Sequence, residues 1–397
     1  MKQLFSDRIR NTKPSFTREI LKVTENKEII SFAGGLPNPI SFPLEELACS
    51  SERIIREYKD VVFQYSTTEG YLPLRQYIAD RYKKRFQLDV TAEDILITTG
   101  SQQGLDLIGK AFINKGDGII IEEPGYLGAI QAFSSFEPKF IPVRLEEDGV
   151  NIKELEDALE NKNAKIFYSV PNYQNPTGLT YSAEKRLATS ETLKQHEVVL
   201  IEDDPYGELT FEGESLPYIG TARPEYSILL GSFSKTITPG MRLGFLCTKN
   251  KEIMNHIVTV KQGSDLHTNI FGQMLIHDYL MHNDYEKHIS TIKDLYKEQC
   301  HAMLEAMKEY FPSYISYTTP KGGMFIWATL NNGLSAMDLV QKAIAANVIF
   351  VPGDPFYTGK ENVNALRLNY TNSDIPTIRE GIKRLGKIFY QYEILLL

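Results

Sequence analysis

The stretch GSFSKTITPGMRLGF, residues 231–245, joins two apolar runs and carries an unusual set of polar side chains. Lys235 follows two serines, Ser232 and Ser234, and Arg242 comes after it on the same stretch. Hydroxyl donors and a guanidinium fork are groups that hold phosphate. A lysine that is near other cations and partly out of water has a lowered pKa, which makes it a nucleophile toward a carbonyl carbon. The stretch therefore predicts a reactive lysine beside a phosphate group.

The two apolar runs beside this stretch belong to a series that alternates with amphipathic stretches such as 152–160 and 182–195. The runs are DILITT (94–99), GIIIEE (118–123), KFIPVRL (139–145), AKIFYSV (164–170), EVVLIED (197–203), YSILLGS (226–232) and RLGFLCT (242–248). Strands that alternate with helices are typical of βαβ units and a parallel sheet. We therefore expect an α/β fold with a mainly parallel seven-stranded sheet.

The C-terminal part has a different pattern, which predicts a smaller α+β domain. Residues 250–310 are mostly helical in pattern, and three strand-like runs and two helical stretches follow. These are GGMFIWATL (322–330), 336–345, NVIFVPG (347–353), ALRLNYT (365–371) and 375–391. The N-terminal segment is too short to fold alone, so we expect it to pack on this unit. The predicted division is a large domain at 46–289 and a small domain made of 1–45 and 290–397.

The composition argues against several classes of protein. The 397 residues are 42% hydrophobic and 24% charged, as in ordinary globular proteins. The formal net charge of −8 argues against nucleic acid or an anionic membrane as a partner. The three cysteines and seven histidines match no metal-ligand spacing, so we expect no metal and a reduced, cytoplasmic setting. No apolar run is long enough to span a bilayer, and no GxGxxG or GxxxxGK[ST] motif occurs.

Ligands of open α/β sheets bind at the carboxyl ends of the strands, and several uncommon motifs follow predicted strands. In TTGSQQG (98–104), Ser101 and Gln102 open a predicted helix, whose free N–H groups favour phosphate. The alternative is a simple helix cap. In EEPGYLGA (122–129), Tyr126 is placed to stack on a flat ligand or to join the core.

Two further motifs offer groups for a substrate. NYQNPTGLT (172–180) is either a plain turn or a turn that points the Asn175 amide at a ligand oxygen. Arg367 is the single charged residue in the strand-like run 365–371. Such an arginine either pairs with an acidic neighbour or receives a carboxylate through its two-pronged guanidinium.

The motif IEDDPYGEL (201–209) ends an apolar strand with three carboxylates, Glu202, Asp203 and Asp204. Buried carboxylates need a partner, so such a cluster is exposed, paired or used on a cation. One functional alternative is a magnesium site. The other is a single carboxylate bonded to a protonated ring nitrogen, with Tyr206 close behind it. A solvated loop is the third interpretation.

Taken in order, these motifs describe one cofactor, an aldehyde on a phosphorylated pyridine ring. The chain resembles the fold-type I pyridoxal-phosphate aminotransferases. It is most similar to the branch that contains 2-aminoadipate (LysN-type) and kynurenine or aromatic aminotransferases, to which the effector domains of MocR-like regulators are related. The motifs that carry the resemblance span nearly the whole chain: PSFTREIL, GGLPNP, QYSTTEGYLPLR, TTGSQQGLDL, PNYQNPTG, EDDPY, GSFSKTITPGMRLGF and ALRLNYT.

The resemblance implies roles for the residues around the cofactor ring. Lys235 would bind pyridoxal 5'-phosphate as a Schiff base and act as the catalytic base. Asp203, rather than Asp204, would pair with the ring nitrogen, because the family places a tyrosine three residues after this aspartate and Tyr206 stands there. Asn175 and Tyr206 would bind the phenolic oxygen of the cofactor.

The resemblance also implies a phosphate site and a shared active site. Tyr126 would stack on the ring, and Tyr65 would reach the phosphate of the neighbouring subunit, so a homodimer is expected. The residues implied for the phosphate are Ser101, Gln102, Ser232, Ser234 and Arg242.

On the substrate side, the resemblance implies that Arg367 binds the α-carboxylate and that Gly35 lines the pocket, with Arg18 contacting the substrate side chain. The implied reaction moves an amino group from an L-amino acid, such as 2-aminoadipate or an aromatic one, to a 2-oxo acid, 2-oxoglutarate above all. The sequence leaves open a magnesium enzyme, a cofactor-binding sensor without turnover, and a cofactor enzyme that eliminates or decarboxylates.

Overall fold

A computed structural model describes residues 4–11, 28–213, 216–359 and 363–394. Its largest sheet contains the seven predicted strands and one additional two-residue strand. In chain order these strands are β2 (Ile95–Thr98), β3 (Gly118–Glu123), β4 (Lys139–Glu146), β5 (Gly149–Val150), β6 (Ala164–Ser169), β7 (Val199–Asp203), β8 (Ser227–Ser232) and β9 (Gly244–Cys247). The strand that precedes them, β1 (Ile30–Ser31), lies elsewhere.

The spatial order of this sheet is β2-β9-β8-β7-β6-β3-β4-β5. Neighbours from β8 through β4 run parallel, whereas β9 is antiparallel to both of its neighbours and β5 is antiparallel to β4. The central strands are buried almost throughout, because helices cover both faces of such a sheet. The α/β prediction with a mainly parallel sheet is therefore confirmed.

The helices in the described ranges begin at polar caps in many cases. Asn151, Ser182, Asn250, Asn269 and Asp284 each accept a bond from a free backbone N–H in the first turn of a helix. The helices are Asp7–Asn11, Leu44–Tyr58, Leu72–Phe86, Gly100–Phe112, Leu127–Ser134, Ile152–Leu159, Ala183–Leu193, Lys251–Gln262, Ile270–His282, Tyr285–Tyr310, Ala336–Ala345 and Ile375–Ile394. Of these, none combines the length and the apolar character that a bilayer crossing requires.

A second sheet lies in the C-terminal part and has the order β10-β11-β14-β13 with antiparallel neighbours. Its strands are β10 (Ile315–Tyr317), β11 (Phe325–Leu330), β13 (Val351–Pro352) and β14 (Ala365–Asn369). Strand β12 (Val348–Ile349) pairs instead with β1, so the N-terminal segment does contact this part of the chain. The helix Tyr285–Tyr310 runs through the predicted boundary at residue 290, and the division into two domains stays a prediction.

Candidate active site

Lys235 lies in the loop after β8, and its surroundings make its amine easier to deprotonate. The Nζ atom donates a hydrogen bond to the backbone oxygen of Gly35 at 2.7 Å. Burial, together with the positive charges of Arg367 and Arg242, lowers the pKa of Lys235 to about 8. A lysine of this kind supplies a neutral amine near neutral pH far more readily than a surface lysine does.

Asp203 is the last residue of β7, and its side chain has one satisfied oxygen and one free oxygen. Its Oδ2 accepts a hydrogen bond from the Tyr168 hydroxyl at 2.7 Å. Its Oδ1 is buried and has no hydrogen-bond partner among the described residues. Burial, and next to it the negative charges of Asp204 and Glu122, raise the pKa of Asp203 to about 7. The free oxygen therefore suits a cationic donor, which would hold the carboxylate ionised.

The other two carboxylates of the acidic motif bond to the protein. Glu202 accepts hydrogen bonds from the backbone N–H groups of Ile219 and Gly220, both at 3.1 Å. Asp204 accepts from the Gly207 N–H and the Tyr218 hydroxyl, each at 2.8 Å. Within the described ranges, no three acidic, histidine or cysteine side chains form a group that could hold a metal ion. The arrangement favours one functional carboxylate over a magnesium site.

Arg367 lies in the middle of β14, with Trp327 of β11 and Val351 of β13 as its sheet neighbours. The side chain is 4% exposed, yet no carboxylate of the described residues pairs with it. Its Nη1 donates to Asn175 Oδ1 at 2.7 Å, its Nη2 donates to a backbone oxygen, and its Nε has no partner. Because burial disfavours the cation, the pKa of Arg367 falls to about 10. A buried guanidinium without an anion is a suitable receptor for a carboxylate.

Asn175, Tyr206 and Tyr126 gather around these charged groups. Asn175 contacts Arg367, and it also interacts with the Tyr206 hydroxyl, which burial holds in its protonated form by raising its pKa. Tyr126 follows β3, where burial and the charge of Asp203 raise its pKa to about 12. Three predicted site residues from three separate loops therefore lie close to Asp203 and Arg367.

The predicted phosphate loop lies against Arg242. Gly100, the first residue of the helix Gly100–Phe112, has φ +73°, and a Cβ atom on it would come within 2.6 Å of Arg242 Nη2. A Cβ on Gly244 would lie 2.7 Å from the Ser101 nitrogen, so the helix start packs closely on β9. The N–H groups of a helix start and a guanidinium together form an anion site. The predicted donor Gln102 bonds through its side chain to a backbone oxygen, that of residue 128, at 2.8 Å.

The two serines lie in the loop that leads from β8 to Lys235. The Ser232 hydroxyl accepts a hydrogen bond from the Ser234 backbone N–H at 3.1 Å. This bond gives the loop a tight turn between the end of β8 and Lys235. Gly35 contacts Lys235 from the other side, and a Cβ on it would lie 3.1 Å from the Phe325 ring. A side chain at position 35 would therefore press on the Phe325 ring.

Tyr65 lies at the surface of the single chain. It is 80% exposed, and its ring meets His267 edge-on at 5.8 Å between centroids. Several large apolar side chains are exposed in nearby parts of the sequence: Ile40, Leu44, Val61, Phe63 and Leu72. Arg18, the predicted contact for the substrate side chain, lies outside the described residues.

Sequence reasoning did not find Tyr168, although strand register offers a signal for it. Tyr168 of β6 pairs with Ile201 of β7, so its side chain shares a face of the sheet with Ile201 and with Asp203 two residues later. A hydroxyl on the same face of the sheet as a buried carboxylate in the neighbouring strand identifies such a partner once the strand order is known. The order of β6 and β7 was not predicted from the sequence.

These side chains fit an aldehyde on a phosphorylated pyridine. Lys235 offers an amine for the aldehyde, and the helix start beside Arg242 offers an anion site for the phosphate. The free Oδ1 of Asp203 offers an acceptor for a protonated ring nitrogen. The unpaired cation of Arg367 is left for a second anion, such as the carboxylate of an amino acid.

Comparison with known proteins agrees with this chemistry. The sequence profile of the family described as aminotransferase class I and II matches residues 42–385. A 2-aminoadipate transaminase of Thermus thermophilus is 42% identical over 94% of this chain and 93% of its own length. An aromatic-amino-acid aminotransferase of Thermococcus litoralis is 39% identical over 96% of this chain and 93% of its own length.

A solved structure with a bound cofactor adduct has the same fold as this chain. It is LysN, the α-aminoadipate aminotransferase of Thermus thermophilus, complexed with N-(5'-phosphopyridoxyl)-L-leucine. It superposes with a TM-score of 0.93 at 40% identity and covers 99% of each chain. The chain therefore belongs to the class I and II aminotransferases, and it is a pyridoxal-phosphate-dependent aminotransferase of fold type I.

Proposed function

We propose that this aminotransferase takes its amino group from 2-aminoadipate and from aromatic amino acids such as kynurenine, and passes it to 2-oxoglutarate. The similarity to a 2-aminoadipate transaminase and to an aromatic-amino-acid aminotransferase supports this range of donors. One observation carries the assignment of the site. A buried amine of lowered pKa lies near a buried arginine without an anion, and a buried Asp203 oxygen without a donor completes the set.

The proposed cofactor site uses the strand ends of the large sheet. Asp203 would hold the ring nitrogen, Asn175 and Tyr206 the phenolic oxygen, and Tyr126 one face of the ring. The phosphate would be held by backbone and side-chain donors of Ser101, Gln102, Ser232, Ser234 and Arg242. Pyridoxal phosphate, when bound, supplies an aldehyde that bonds to an amine and a ring that withdraws electrons from the substrate Cα.

Lys235 would act as the acid–base group of the reaction. Its Nζ, as a neutral amine, accepts the proton of the substrate Cα and later returns a proton. The lowered pKa supports this role, because a base is most effective when its pKa lies near the working pH. Asp203 would keep the ring nitrogen protonated, because a buried carboxylate is costly unless a positive charge, here that of the protonated nitrogen, lies beside it.

Arg367 would bind the α-carboxylate of the substrate through two parallel hydrogen bonds. Its Nε is free, and its Nη atoms bond to neutral oxygens that a carboxylate could replace. Gly35 would border the pocket next to Lys235, where its lack of a side chain leaves space. Arg18 would serve the carboxylate of a dicarboxylic side chain.

The protein is also proposed to be a homodimer in which Tyr65 completes the partner's phosphate site. The exposure of Tyr65 and of apolar side chains such as Phe63 and Val61 supports a covered surface there. A cytoplasmic location is proposed from the three free cysteines, of which two are buried.

A panel of single half-reactions tests the proposed donors. The purified holoenzyme is mixed with 2-aminoadipate, glutamate, kynurenine, tyrosine, leucine or alanine, and the loss of the absorbance band of the lysine-bound cofactor is followed. We expect the fastest loss with 2-aminoadipate and the aromatic donors. Rates for alanine that exceed those for both groups would contradict the proposal. Product analysis by mass spectrometry identifies the keto acid and separates transamination from elimination or decarboxylation.

A further inference from the structure

Tyr168 is a buried residue next to the proposed site that has no role in the scheme above. It is fully buried in β6, and its ring packs edge-on against Phe133 of the helix that follows Tyr126, with centroids 6.1 Å apart. Its hydroxyl reaches across to the neighbouring strand and donates to Asp203 Oδ2 at 2.7 Å. The phenol is therefore fixed by packing on one side and by a short hydrogen bond on the other.

The bond to Tyr168 has two consequences for the Asp203 carboxylate. It occupies Oδ2, which leaves Oδ1 as the oxygen that can accept a further donor. It also opposes the effect of burial, because a donor to a carboxylate favours the ionised form and so lowers the pKa of Asp203. Burial and the negative charge of Asp203 raise the pKa of Tyr168 well above its usual value. The shared proton therefore stays on the phenol.

We propose that Tyr168 is a positioning residue that turns the Asp203 carboxylate and holds it ionised, so that the ring nitrogen of the bound cofactor stays protonated. This inference rests on the proposed pairing of Asp203 with that nitrogen. Without the phenol, Asp203 becomes the stronger base of the pair, and the proton between nitrogen and carboxylate moves toward the carboxylate.

Other charged and titratable groups near Asp203 also affect its protonation, but none of them donates a hydrogen bond to it as the Tyr168 phenol does. Asp204 and Glu122 are negative, and they raise the pKa of Asp203. Tyr126 and Tyr206 also sense its charge, but their hydroxyls are not donors to it. Among these groups, Tyr168 alone lowers the pKa of Asp203.

The test measures the protonation of the cofactor nitrogen in the holoenzyme. Protein loaded with ¹⁵N-labelled pyridoxal phosphate is titrated from pH 6 to 10, a range centred on the Lys235 pKa of about 8. The pH at the midpoint of the change in the ¹⁵N chemical shift of the ring nitrogen is recorded. Tyr168→Phe is expected to lower this midpoint by about one pH unit or more, since a hydrogen bond to a charged group has that strength. The affinity of the apoprotein for the cofactor should fall about tenfold.

Tyr181→Phe is the matched control. Tyr181 is 1% exposed, and its hydroxyl donates at 2.7 Å to another buried carboxylate, that of Glu122. The control removes the same atom from the same kind of bond, and Glu122 keeps its hydrogen bonds from Ser169, Gln174 and the Val170 N–H. It therefore reports the structural cost of losing a buried phenol hydroxyl. We expect a similar loss of melting temperature in both variants, but a changed nitrogen midpoint in Tyr168→Phe only.

A second substitution keeps the shape of the side chain and reverses the expected sign. Incorporation of 3-fluorotyrosine at position 168 makes the hydroxyl more acidic and the bond to Asp203 stronger, so the midpoint should rise. A midpoint that stays at the wild-type value in both Tyr168 variants, while Asp203→Asn shifts it, overturns the role of Tyr168 alone. A midpoint that does not move even in Asp203→Asn overturns the pairing of Asp203 with the ring nitrogen and the inference with it.

Discussion

Replacing Arg367 by glutamine tests the core of the proposed substrate site. The substitution removes a buried cation and keeps a side chain that can still bond to neutral oxygens. The change leaves no carboxylate without its partner, because no carboxylate of the described residues pairs with Arg367. We therefore expect the variant to fold, and the melting temperature of the apoprotein serves as the check.

The size of the effect follows from the bonds that Arg367 makes before and after substrate binds. Two hydrogen bonds between a guanidinium and a carboxylate contribute about 3–6 kcal/mol, at about 1.5–3 kcal/mol each. Part of this is offset, since the Nη atoms give up bonds to Asn175 Oδ1 and to a backbone oxygen. A net loss of about 2–4 kcal/mol corresponds to a fall in kcat/KM of about 30- to 1,000-fold.

The assay compares an amino acid with an amine that lacks the α-carboxylate. Wild type and Arg367→Gln are each reacted with tyrosine and with tyramine, and single-turnover rates are measured over a range of concentrations. The variant should lose the expected factor with tyrosine and change less than about threefold with tyramine, because tyramine makes no carboxylate contact. An equal loss with both compounds would refute the reasoning, and so would a loss below tenfold with tyrosine.

Arg367→Gln also predicts a change at Lys235 that does not depend on the substrate. The charge of Arg367 is one of the causes that lower the pKa of Lys235 to about 8, after burial. Removing the charge should raise the pKa of this lysine in the apoprotein. The pH dependence of the reaction between apoprotein and an aldehyde reports this pKa, because the neutral amine is the reacting form.

Three further predictions concern stability, the phosphate site and the dimer. Apoprotein Lys235→Met should have a higher free energy of unfolding than wild type below pH 8, where folding buries the charged lysine. The difference should shrink as pH rises toward 10.5, because the lysine is then neutral in the folded protein, and thermal melts over this range measure it. Gly100→Ala should weaken the binding of the cofactor to the apoprotein at least tenfold, because the new methyl group clashes with Arg242; a titration measures this. The control Gly116→Ala, at φ +89° with no atom within 4 Å of the new methyl group, should not weaken binding. Mixing inactive Lys235→Ala and Tyr65→Ala chains should restore activity, because one site of the mixed dimer then has Lys235 from one chain and Tyr65 from the other. No recovery after verified subunit exchange would refute a shared active site.

Much of the fold could be predicted because the strands of a parallel sheet are continuous apolar runs. All seven runs of the N-terminal two thirds form strands, and the reactive lysine motif lies between β8 and β9 as expected. The order of the strands could not be predicted, because it depends on which helices cross which face. Nothing in the sequence of β9 indicates that it inserts, antiparallel, between β2 and β8.

The site could be predicted as a set of motifs but not as a set of contacts. The residues alone left Glu202, Asp203 and Asp204 open, and only their hydrogen bonds distinguish them. Glu202 and Asp204 bond to nearby N–H and hydroxyl groups, while one oxygen of Asp203 has no donor. The side chain of Gln102 bonds to a backbone oxygen of the next helix, a contact that the sequence does not indicate. Such details depend on distances between elements far apart in sequence.

The register of β6 on β7 places Tyr168 and Asp203 on one face of the sheet. Tyr168 pairs with Ile201, and Asp203 follows Ile201 by two residues, so both polar groups lie on the same face. Ser169 pairs with Glu202 on the opposite face, where Ser169 donates to Glu122 instead. A shift of one residue between these strands would exchange the two faces and place Asp203 on the face opposite to Tyr168. The pairing of two short apolar strands therefore determines which carboxylate of the acidic motif shares a face with Tyr168.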